Sequence, residues 1–168
     1  MPAKRYLAQV AGSLTEIAGL VTSAGAGDDG KFVSLDATGR LDGSVMPVGI
    51  GADTAAITTS EALAAGDYVN IWSSTGAKAR KADASTSGKE AHGFVLAAFI
   101  SGAVATVYFE GTNTQVTGQT PGSVFLSATA GLGATTAPST AGQTVQRVGF
   151  ATSATSVNVQ SQPPILLA

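Results

Sequence analysis

The chain has no cysteine in 168 residues, which excludes a disulfide framework and any thiolate metal site. It has one histidine, His92, so any Ser-His-Asp or Cys-His mechanism would rest on that residue. Charge is scarce. Asp, Glu, Lys and Arg make up 12% of the chain, about half the usual share for a soluble domain. The balance of 9 basic against 11 acidic residues gives no electrostatic footing for nucleic acid. After Glu110, the last 58 residues carry a single charge, Arg147. Aromatic residues, at 6%, are too few to suggest a sugar-binding platform. A surface so poor in charge admits two readings: it is hidden against copies of itself or another protein, or it is coated by the Thr and Ser hydroxyls of a β protein.

Long apolar runs are also missing, with one exception. From Phe94 to Phe109 no charge occurs, and only Ser101 and Thr106 interrupt "FVLAAFISGAVATVYF". These 16 residues fall short of the roughly 20 that a membrane helix needs. A buried helix, favoured by the alanines, competes with a β-hairpin turning at Ser101-Gly102. Internal comparison favours the hairpin. "GKFVSLDATGRL" (30–41), "GDYVNIWSSTGAK" (66–78) and "PGSVFLSATAGLG" (121–133) share a pattern of Gly, short alternating strand and second Gly. Each precedes a second phrase: "PVGIGADTAAITTS" (47–60), "HGFVLAAFISGAVATVYF" (92–109) or "RVGFATSATSVNV" (147–159). In the last, Val157 and Val159 alternate with Ser156 and Asn158, the period of a half-buried strand. By analogy the apolar stretch is two strands.

What the chain does have in quantity is glycine, 21 residues, which supplies turns able to take positive φ. Short runs such as "KFVSL", "AAITT", "DYVNIW", "SVFLS" and "SVNVQ" lie between Gly, Ser, Thr and Asn clusters. The expected fold is therefore all-β, a compact β-barrel or β-sandwich built from degenerate repeated strand-turn units near 30–60, 66–109 and 121–159. Helix is expected only as one turn in "SEALAAG" (60–66), with Ser60 as N-cap and Gly66 as stop. Residues 1–29 end in a Gly/Ala-rich stretch and are predicted as an extended N-terminal arm or linker, leaving 30–168 as the β domain. Lys4 and Arg5 precede apolar residues as in a signal peptide. Gln9, Ser13, Thr15 and Glu16 break the apolar core that such a peptide requires, so no cleaved signal is expected. Pro163-Pro164 followed by "ILLA" makes an apolar tip, packed on its own core or docked into a neighbour.

No motif carries chemistry. His92 reads as a strand-end side chain, and no HExxH or other spaced metal set exists. Asp36 and Asp42 lie in turn contexts, and "DATGRLDGS" lacks the alternating oxygen ligands of a calcium loop, so they are expected to cap turns. "GAGDDGK" (25–31) lacks the hydroxyl position of a phosphate loop, where Phe32 stands instead. No enzyme, cofactor or metal is expected. Lys78, Arg80 and Lys81 form a basic cluster that suits either a small anion or partner contact or a solvated hairpin edge. On "DYVNIW", Tyr68, Asn70 and Trp72 share one strand face, which makes Tyr68 and Trp72 a candidate exposed contact face.

The phrases "GKFVSLDATGRLDGSVMPVGIGAD", "SEALAAGDYVNIW", "KADASTSGKEAHGFVLAA", "ATVYFEGTN" and "GSVFLSATAGLGATTAPS" resemble those of tailed-bacteriophage capsid decoration proteins, also called cement or head-fibre proteins. The resemblance covers roughly residues 15–160 and rests on phrasing and turn pattern. It implies a non-enzymatic virion structural protein, synthesised in the host bacterial cytoplasm. Such a protein binds the outer capsid surface and reinforces contacts between major capsid subunits, as a homo-oligomer with a trimer favoured. No nucleic acid and no membrane would be partners. In that role the arm would meet the capsid through Tyr6, Leu7, Val10, Leu14 and Ile17, adding strand pairing to an exposed edge. Similar phrases occur in tail-fibre proteins. The alternative is therefore a tail-fibre or head-fibre adhesin module that contacts a bacterial surface glycan through an aromatic patch at Trp72 and Tyr68.

Overall fold

The computed structural model describes residues 4–46 and 51–168, and the chain divides into two compact units, 1–51 and 52–168. In the first unit, β1 (Arg5–Val10) and β2 (Ser13–Ala18) form an antiparallel hairpin with Tyr6 opposite Ile17 and Leu7 opposite Glu16. Ala11 (φ 49) and Gly12 (φ 86) both take left-handed backbone in the two-residue turn, the geometry that matches strand twist. Beyond β2, Leu20 bridges Val33 in parallel, and the Tyr6 ring meets Phe32 edge-on at 4.7 Å. The rest is turns held by aspartates. Asp36 Oδ1 accepts from the Thr38 and Arg40 N–H groups and the Thr38 hydroxyl, and Asp42 Oδ1 accepts from the Ser44 N–H and hydroxyl. This is the capping role their turn contexts imply.

The segment expected as an extended arm thus carries a hairpin, and the unit boundary falls at 51/52 rather than 29/30. The physical reason is the Leu20–Val33 bridge with the Tyr6–Phe32 contact, which ties residues 32–33 to the hairpin. "KFVSL" forms no strand beyond the bridge at Val33. The opening of the phrase at 47–60 lies outside the described residues.

The second unit is built of twelve strands: β3 (Thr54–Thr59), β4 (Tyr68–Ser74), β5 (Gly76–Lys81), β6 (Gly93–Phe94), β7 (Val104–Tyr108), β8 (Gly111–Asn113), β9 (Gly122–Leu126), β10 (Gly133–Ala134), β11 (Thr144–Val145), β12 (Arg147–Ser153), β13 (Ser156–Val159) and β14 (Ile165–Leu166). The first five close a barrel in the order β3-β5-β4-β6-β7, with β3 parallel to β5 and antiparallel to β7. An antiparallel sheet, β10-β9-β12-β13-β8, follows, and β11 pairs with β14 as a separate ribbon. The fold is all-β. The phrases at 66–78 and 121–133 fall in different sheets, one in the barrel and one in the open sheet.

Strand alternation explains two cores. Val69 points into the barrel with Ile57, Leu63, Ala79, Val95 and Val107. Its neighbour Tyr68 points outward with Phe94, onto Val124, Leu126, Val148 and Val157 of the open sheet. Buried amides tie the loops. The Gln146 side chain donates to the Ala91 carbonyl (2.9 Å) and accepts from the Ala91 N–H (2.7 Å), and Asn113 Nδ2 donates to the Gly66 carbonyl at 2.9 Å. Each satisfies backbone groups that no strand ladder reaches.

The apolar stretch 94–109 turns back on itself at Ser101-Gly102 as expected, but its first arm is strand only at Phe94. β6 and the Phe99–Leu63 bridge lead to a turn at Ser101-Gly102, closed by Ala103 N–H donating to the Ile100 carbonyl, and β7 returns. "SEALAAG" forms no helical turn. Leu63 is drawn into the barrel by its bridge to Phe99. Ser60 spends its hydroxyl on the Ala79 carbonyl, and Asp67 Oδ2 accepts from Ala64 N–H in the turn that follows.

Two substitutions test this packing. A Cβ at Gly149 would run into the Asn158 carbonyl oxygen across the β12–β13 pair. Gly149→Ala should therefore lower the unfolding free energy of the second unit by about 1–3 kcal/mol, read from urea denaturation. Ala11→Asn should strengthen the hairpin by roughly 0.5–1 kcal/mol, seen as stronger cross-strand NOEs between Tyr6 and Ile17.

Candidate functional site

The five candidate contact residues all lie on the β1–β2 hairpin but on two faces of it. Register and alternation place Tyr6, Val10 and Ile17 on one face, where Tyr6 and Ile17 are half-buried. Leu7 and Leu14 share the opposite face, diagonal across the pair, and are 71% and 78% exposed. Their neighbours there include the Arg5–Glu16 ion pair at 3.5 Å, an exposed contact of little energetic weight.

The wider unit shows what singles out this hairpin. Among the described residues 4–46, none is buried. Nine of the fifteen exposed large hydrophobic side chains in the described chain belong to this unit, against six in the much longer second one. Phe32 (67%), Leu35 (56%) and Leu41 (51%) join Leu7 and Leu14 in that set. Sequence reasoning missed these three because "KFVSL" and "GRL" match a strand-turn unit with its own core. A two-stranded ribbon is marginal by itself in water, and a chain this short seldom folds without a further source of burial.

Tyr68 and Trp72 do not form an exposed face. Tyr68 is 1% exposed and sits in the core between barrel and sheet. The start of β4, Tyr68 to Asn70, is covered on both faces, so alternation there leaves no exposed side. Trp72 is half-buried, donates from Nε1 to Ser60 Oγ at 3.1 Å, and carries the Arg80 guanidinium 4.8 Å above its ring. The basic cluster is likewise divided. Arg80 donates to Asn70 Oδ1 and to the Gly88 carbonyl, and Lys81 pairs with Asp67 at 3.6 Å on the other side of the strand. β5 is not a free edge, because β3 and β4 pair with it on both sides.

His92 Nδ1 accepts from the Ile71 N–H at 2.9 Å, which fixes the imidazole to the β4 backbone. Among the described residues no three His, Asp or Glu side chains gather as a metal set, and no helix is long and apolar enough to cross a membrane.

Three carboxylates of the first unit and one of the second respond to acid with opposite sign. In the first, hydrogen bonds hold three groups below the ordinary 3.8. The leading donors are Lys31 for Asp28, the Arg40 N–H for Asp36 and the Ser44 hydroxyl for Asp42. Their contribution is complete above 3.8 and is lost as pH falls through the lowered values. In the second, burial raises Asp67 above 3.8, against the opposing Ala64 N–H and Lys81. The native state then holds this proton more tightly, so the Asp67 contribution falls as pH rises from 3.8 through the raised value. Amide exchange on a descending pH series should show protection at Thr38, Arg40 and Ser44 failing first, with β4 still protected. Simultaneous loss in both units would contradict this assignment.

No protein-family model, curated protein or solved structure matches this chain.

Proposed function

We propose that the chain is a non-enzymatic virion structural protein whose first unit attaches it to the outer surface of a phage capsid, where it reinforces contacts between major capsid subunits. One observation carries the reading: a unit without a buried residue among those described displays nine of the fifteen exposed large hydrophobic side chains of the described residues. Such a surface gains its stability from what it covers. Each large aliphatic side chain buried at an interface contributes about 1.5–3 kcal/mol, so Leu7 and Leu14 together supply a substantial anchor. The resemblance of its phrases to those of decoration proteins supports the capsid as the partner and a symmetric homotrimer as the bound form. Identical weak contacts repeated around a shell add by multivalency. The scarcity of charge, 12% of residues, suits a surface that meets neighbours rather than bulk water.

The test is cosedimentation with capsids lacking the protein, alongside the copy number per particle in native virions. Wild-type chain should bind at a ratio set by shell symmetry. The Leu7→Asp/Leu14→Asp double variant should bind at least ~100-fold more weakly, with the thermal unfolding of the second unit unchanged. Full binding by the double variant, or absence of the chain from virions, would overturn the proposal.

A further inference from the structure

A cleft of about 290 Å³ opens in the second unit between the 64–68 turn, the 115–119 loop and the Leu132–Gly133 step. Two polar atoms of its lining residues, Tyr68 Oη and Gln119 Oε1, have no hydrogen-bond partner. One is a donor and the other an acceptor. A buried phenol without an acceptor costs free energy, and native proteins leave few such groups. The surroundings preserve this one. Gly133 lies over the Tyr68 ring, where a Cβ would come within 3.1 Å of Tyr68 Cε2 and 2.7 Å of Val124 Cγ1. The ring itself is held in the core beside Phe94.

We propose that this cleft binds a single neutral sugar ring. The unmet needs are one acceptor for Tyr68 and one donor for Gln119, and adjacent hydroxyls on a pyranose offer both. Asp67 is the only carboxylate in the lining, and Lys81 already pairs with it at 3.6 Å, so the cleft offers no free cation to a phosphate or carboxylate ligand. Val116 and half-exposed Leu132 provide an apolar side for the C–H face of a ring. The volume lies just below the roughly 300–1,000 Å³ of drug-sized sites, which limits the occupant to one ring.

Both orphan atoms are shielded from water. A side chain of the lining must move before a ligand reaches the two atoms, and Gln119 is weakly held. Its amide is fastened only by a 3.2 Å bond from Nε2 to the Thr117 carbonyl, within an exposed loop. Rotation of Gln119 about its side-chain bonds carries Oε1 to the ligand. This site lies on the second unit and is independent of the attachment reading, so either can fail alone.

The test is a titration of the full chain with glucose, galactose and N-acetylglucosamine, followed by amide chemical shifts. At least one sugar should give saturable shifts centred on Gly66, Val116, Gln119 and Gly133. Tyr68→Phe should weaken binding about tenfold while keeping or raising the melting temperature, because it deletes an unpaired hydroxyl. Gln119→Ala, on an exposed loop, should weaken binding without loss of fold. Three results would overturn the proposal: no saturable shift with any sugar, undiminished binding by both variants, or a crystal soaked in sugar that shows only a bound water between the two atoms.

Discussion

Everything in the second unit depends on β4 being buried from both sides. Val69 fills the barrel while Tyr68, one residue earlier, anchors the five-stranded sheet to the barrel wall. A single strand therefore belongs to two cores, and neither can be assembled fully without the other. Gly93 is part of the same constraint. It stands opposite Val69, and a Cβ there would collide with the Tyr108 carbonyl, so this crossing admits no side chain. Buried amides then close the circuit. Gln146 reaches from the end of β11 to Ala91 in the barrel's connecting loop, across 55 residues of sequence.

Much of this architecture was legible in the sequence, and its omissions have physical causes. Alternation in "SVNV" and in the return arm after Ser101-Gly102 translated directly into strands, because period-two patterning reports a half-buried sheet face, whereas the first arm is strand only at Phe94. The same logic failed on "DYVNIW". Tyr and Asn opposite Val and Ile look like a polar face, yet both sides of β4 are covered, and pattern cannot distinguish a wet face from one covered by a distant sheet. "SEALAAG" has the composition of a helical turn, but the bridge between Leu63 and Phe99 overrides local propensity.

The N-terminal hairpin escaped notice for a different reason. Its turn is Ala11-Gly12, not the Asn-Gly or Asp-Gly pair that announces such a bend, and Ala11 carries the left-handed backbone at some cost. As for the contact surface, the hairpin residues were visible as a cluster of apolar side chains. Their division between two faces was not, since that depends on register. Phe32, Leu35 and Leu41 were hidden by a plausible but unrealised strand. The sequence pattern marks these residues as core, and only their exposure in three dimensions marks them as surface.

The barrel's closure has a consequence for how copies of this chain would meet one another. An open sheet presents unpaired N–H and C=O groups along its outer strands, and crowded copies can zip together there. Here the parallel β3–β5 contact at Thr58–Lys78 and Thr59–Ala79 completes the ring, so each of the five strands has a neighbour on both sides. The open sheet ends in β10 and β8, which span only two and three residues. A would-be fibril finds almost no template on these sheets. Of the longer strands, those of the β1–β2 hairpin are the ones that keep an unpaired side.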